Sequence, residues 1–206
     1  MNNWLNERSK LLAKYAESTP QSPQCIQVCF DKPEVGWIDT HIKVDNIERT
    51  FVELSSVYEP FMDIRRWLED IVFNQSHFKY GPSMVNIDCE GYNTFLYYEP
   101  IAWGTGLVRG KHHTCYGLFY AFETHNEQIT VDAFCDTWDF IKTFYSAIID
   151  YAKEMQNYDK FIDDWVWDAY NSEMSDYDED SQELKELFIN KMKSEEIEKY
   201  IQKFKL

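Results

Sequence analysis

The sequence predicts an α+β fold: an antiparallel sheet of about six to eight strands, with helices packed on it and a C-terminal helical arm. Three observations lead there. Short stretches alternate apolar and polar residues with period two, as in Ile26, Val28 and Phe30 and again in Ile38, Ile42 and Val44. Turn signals separate these stretches: DKPEVG, Asp45-Asn46, Glu90-Gly91 and GKHH. From Cys115 to Ala152, two apolar runs flank the polar tip THNEQ, and a long helical pattern follows at once. That is a β-hairpin feeding a helix that folds back over the sheet.

The elements follow in order. In residues 2–17, Leu5, Leu12, Tyr15 and Ala16 fall near one face, with Trp4 and Leu11 beside it, which predicts an amphipathic helix. STPQSP ends it, because proline opposes helix continuation. Strands are expected over 25–30, 37–45 and 49–54, with Asp39, His41, Lys43 and Asp45 facing outward. Pro60 suits a first helical position, where its missing N–H is not needed. Phe61, Ile64, Leu68, Ile71 and Val72 then make an apolar stripe, and Asp63 complements the helix dipole. Gly81-Pro82 breaks the chain. Residues 84–89 and 92–99 form a hairpin around Glu90-Gly91, Pro100 closes its second strand, and 101–109 make a further strand. In the hairpin around His125, a three-residue tip places Cys115 opposite Cys135.

Asp136 or Thr137 caps the next helix, which buries Trp138, Ile141, Phe144 or Tyr145, Ile148 and Ala152. Residues 160–170 carry Phe161, Ile162, Trp165, Val166 and Ala169 at helical spacing. MSDYDEDSQ reads as a solvated loop, and residues 182–206 regain helical periodicity. The expected organisation is one α+β domain over 1–172, with an acidic loop and C-terminal helix over 173–206, docked or acting as an arm.

With 206 residues, the chain is long enough to bury a substantial core without staples. Its formal charge of −16 repels nucleic-acid phosphates and anionic lipid, so neither is expected as a partner. No apolar run approaches the roughly 20 residues needed to span a bilayer, and MNNWLNERSKLLAKY carries charges where a signal peptide needs an apolar core, so none is expected. Five cysteines without scaffold spacing point to free thiols and a cytoplasmic location. No cofactor is expected.

Candidate sites are few. His112-His113 are adjacent, so on a strand they point to opposite faces and do not chelate together. Gly104-Thr105-Gly106 is too short for a phosphate loop. Asp88 and Glu90, with Glu99 on the returning strand, form a possible carboxylate cluster for acid–base work or Mg²⁺, set against the wet face of a sheet. Arg66 and Trp67, beside Arg65, suggest an exposed contact point, because Arg and Trp are enriched at interface hot spots. The least ordinary stretch is FIDDWVWDAYNSEMSDYDEDSQE. Residues 159–186 hold eleven acids against two lysines. Asp163, Asp164 and Asp168 lie beside Trp165 and Trp167, giving a negative surface with aromatic anchors.

The leading functional expectation is a non-catalytic acidic interaction protein that binds a basic partner, in one form an immunity or antitoxin-type inhibitor covering the positive cleft of a nuclease. In composition alone the chain is similar to small acidic bacterial proteins of that type. The alternatives are a metal-dependent hydrolase built on Asp88, Glu90 and Glu99, and an assembly subunit docking through its C-terminal helix. The oligomeric state is not specified by the sequence.

Overall fold

Period-two alternation needs a partner strand on each side and one apolar layer beneath. The computed structural model, which describes residues 2–17, 22–76, 81–103, 115–165 and 181–203, supplies both. The helix α1 (Asn2–Glu17) is followed by β1 (Ile26–Phe30), β2 (Trp37–Val44) and β3 (Ile47–Ser55), which form a three-stranded antiparallel sheet in that order. The helix α2 (Pro60–Ser76) leads to β4 (Ser83–Asp88), β5 (Asn93–Trp103), β6 (Cys115–Glu123) and β7 (Gln128–Asp136), a four-stranded antiparallel meander. Then come α3 (Thr137–Gln156), the single turn α4 (Phe161–Asp164), α5 (Ser181–Met192) and α6 (Glu195–Lys203). The fold is α+β as expected, but the strands divide into two sheets rather than one.

The buried faces match the alternation. Ile38, Ile42, Val44, Val52 and Leu54 line the inner face of the first sheet. Val85, Ile87, Leu96, Phe119, Val131 and Ala133 line that of the second. Both faces share one core with α2 and α3, and α5 and α6 close over those helices through Phe188, Met192 and Ile197. Hydrogen bonds stitch the sheets together at their margins. Gln24 N–H donates to the Phe134 carbonyl at 2.7 Å, and the Tyr92 hydroxyl donates to Glu53 at 3.0 Å.

The second sheet is also covered on its other side. There α1 packs Trp4, Leu12 and Tyr15 over Leu118, Tyr120 and Phe122, with Trp4 stacked on Tyr97 at 5.3 Å. The Arg8 guanidinium forks onto Glu99, with Nε 3.0 Å from one carboxylate oxygen.

Several local expectations need correction. Cys115 does not face Cys135: Gly117 does. The tip has four residues, between Glu123 and Gln128, and a bulge near Thr130 shifts the register again. The close approach at Gly117 requires glycine, since a Cβ there would overlap the buried Tyr98 ring. Pro100 does not end its strand, because β5 continues through a bulge at Ile101 to Trp103. Trp138 is only half-buried and donates its indole N–H to the Ile201 carbonyl at 3.1 Å. The expected C-terminal helix is two helices. Ser194 caps the second by accepting the Ile197 N–H at 3.3 Å, and its own N–H donates to the Tyr145 hydroxyl at 2.8 Å. Asp136 is the cap of α3, accepting the N–H groups of Trp138 and Asp139. Cys25, Cys29, Cys89 and Cys135 are free thiols.

Candidate interaction surface

The first sheet buries one face and leaves the other uncovered among the described residues. Strand β2 runs through its centre, so alternation sends Trp37, Asp39, His41 and Lys43 outward between β1 and β3. Register then decides what each meets. Asp39 lies directly across from Glu53, His41 lies across from Cys29 on β1, and Lys43 lies across from Glu48. Asp31 is drawn alongside by its N–H, which donates to the Asp39 carbonyl at 2.8 Å.

The Asp39–Glu53 opposition is electrostatically unfavourable. Partial burial raises the Asp39 carboxyl above the usual range, and the negative charges of Glu53, Asp31 and Glu34 raise it further, while His41 works the other way. Glu53 is held in place by the Tyr92 hydroxyl. One step beyond, the Ser55 hydroxyl donates to Glu90, and Asp88 accepts the Glu90 N–H at 2.9 Å. The row of acids therefore continues from Asp31 past Glu53 to the β4–β5 turn. The His41 ring lies at its centre, with Nε2 3.0 Å from Asp31 and Nδ1 3.3 Å from Glu48.

At the opposite end the row meets the acid-rich segment. The Asp164 carbonyl accepts the Gly36 N–H at 2.6 Å, which docks α4 on the β1–β2 turn. The Asp164 carboxylate accepts the Tyr158 hydroxyl at 2.6 Å, and Glu34 acts on the same tyrosine. The Lys32 ammonium covers the Tyr158 ring at 4.9 Å. Between Glu34 and Gly36, Val35 holds φ 50° and is 81% exposed. A β-branched residue in the left-handed region is strained, and here its apolar side chain projects into solvent.

The residues singled out from sequence are dispersed. Asp164 joins the acidic row. The backbone of Asp163 belongs to α4, and its side chain lies outside the described residues, as do Trp167 and Asp168 altogether. Trp165 is a core residue, 4% exposed, in a T-shaped contact with Phe61. Trp67 is 1% exposed and makes edge-to-face contacts with Phe140 and Phe144, each at 5.7 Å. The expected exposed Arg-Trp contact is therefore corrected. Arg66 does face solvent, pairing with Asp63 at 3.2 Å, while the half-buried Arg65 donates to the Lys191 carbonyl. The sequence did hold a signal for Trp67: it lies three residues after Ile64 and four before Ile71.

The carboxylate cluster does not assemble. Asp88 faces Asn93 on β5, six residues before Glu99, and six strand residues span about 20 Å. Arg8 already engages Glu99. Among the described residues no group of three His, Cys, Asp or Glu side chains is placed to hold a metal. His112, His113 and Gly104 to Gly106 lie outside the described residues. A cleft between Tyr58, Pro60, Trp165 and Met192 encloses about 20 Å³, room for a water molecule or two. No described helix is long and apolar enough to cross a membrane. No family model matches the chain, and no similar curated protein or solved structure was found.

Proposed function

We propose that the chain is a non-catalytic interaction protein that receives a basic protein partner on the uncovered face of β1–β3 and on the adjoining acidic segment that begins at Asp163 and Asp164. The supporting observation is the Asp39–Glu53 pair. Like charges directly opposite in a sheet are destabilising, by roughly 0.2–1 kcal/mol. An arginine or lysine delivered between them converts that repulsion into attraction, so the cost to the free protein becomes affinity in the complex. Val35, in the turn between β1 and β2, offers an exposed apolar contact beside that sheet. An immunity or antitoxin-type inhibitor, laid over the positive cleft of a nuclease, is the concrete form this reading takes.

The test is a pull-down at low salt, with the captured protein identified by mass spectrometry and then titrated at rising NaCl. The partner should be basic, and its affinity should fall steeply with salt. Asp39→Asn with Glu53→Gln should weaken binding about tenfold or more while raising the melting temperature of the free protein. Salt-insensitive binding, or capture of no basic protein, would refute the proposal.

A further inference from the structure

His41 bears on how the proposed surface is controlled. Its ring sits at the middle of the uncovered face, with each nitrogen turned to a carboxylate on a different strand: Asp31 just after β1 and Glu48 on β3. Only the imidazolium has a proton for both. Neutral imidazole leaves one bare nitrogen facing a carboxylate oxygen, lone pair against lone pair. The other groups around the ring are Cys29 across the strand pair, and Asp39 and Lys43 two residues away on β2, on the same face. Asp31 and Glu48 are themselves well exposed, their side chains 61% and 53% accessible, so an incoming cation can reach both.

We infer that His41 is a built-in counter-ion that competes with a partner's cation for Asp31 and Glu48, so that binding releases a proton and tightens as pH rises. This rests on the proposed role of the face as a site for basic partners. The hydrogen bond to Asp31, then that to Glu48, holds the imidazolium above its ordinary range against a partial burial that pulls the other way. In the free protein the clamp therefore stabilises the fold fully below the ordinary histidine value of about 6.5, and that stabilisation fades as pH rises through the folded value. Binding runs in the opposite sense. Deprotonation removes the internal cation and makes the face one charge more negative.

Two measurements on the full chain test this. The first follows the His41 imidazole by NMR in the free protein. It should titrate above ordinary histidine, and Asp31→Asn or Glu48→Gln should bring it down; an unshifted His41 overturns the clamp whether or not anything binds. The second titrates nona-arginine peptide across pH 6 to 9 at fixed ionic strength. Wild-type affinity should rise with pH, at most about tenfold per unit for one proton released. His41→Gln should bind tightly with no such dependence, and His41→Lys weakly at every pH. If His41→Gln keeps the wild-type pH profile, or His41→Lys matches His41→Gln in affinity, the competition is refuted while the acidic surface stands. No peptide binding at low salt by any variant overturns both readings together.

Discussion

Val35 occupies a backbone conformation that glycine adopts freely and a β-branched residue does not. Val35→Gly should therefore stabilise the free protein by about 1 kcal/mol, measured by chemical denaturation, and weaken partner binding through the lost apolar contact. A variant that is neither more stable nor weaker in binding would remove Val35 from the proposed interface. His41 and Asp39 were legible as outward-facing from alternation alone. Their importance was not, because it depends on which residues of β1 and β3 lie opposite, and no local pattern encodes that. Glu53 carries no signal until register places it across from Asp39.

Elements were read more reliably than their pairing. Helix α2 begins at Pro60 as its missing N–H dictates, and α3 is capped by Asp136. The register of β6 with β7 escaped the sequence because a bulged residue is indistinguishable from its neighbours before the strands pair. The division into two sheets escaped it for the same reason: periodicity shows that a strand has a buried face, not which strand lies beside it. Trp67 was misplaced by treating α2 as one narrow stripe, whereas α2 is covered by a sheet, α3 and the C-terminal helices. Helix α1 differs in resting on its own small apolar cluster and on the Arg8–Glu99 pair. Arg8→Ala leaves Glu99 half-buried without its cation and should cost about 2 kcal/mol. Limited proteolysis should then cut within residues 2–17 first, while the remainder stays protected. Uniform loss of protection would show that α1 belongs to the main cooperative unit.

Across the whole molecule, α5 and α6 are part of the core. Phe188 is 3% exposed and packs against Phe61 and Phe161. Phe188→Ala should cost about 3–5 kcal/mol in thermal or denaturant unfolding, and a loss below about 1 kcal/mol would show the C-terminal helices to be peripheral. The cysteines occupy different environments, with Cys25 and Cys29 on the surface, Cys115 intermediate, and Cys89 and Cys135 in the interior. A maleimide reagent added to the native protein therefore modifies the two outer sulfurs at once. It reaches the buried Cys89 and Cys135 only as often as the interior opens, so labelling of those two residues, followed over hours by peptide mapping, counts the openings without any engineered probe.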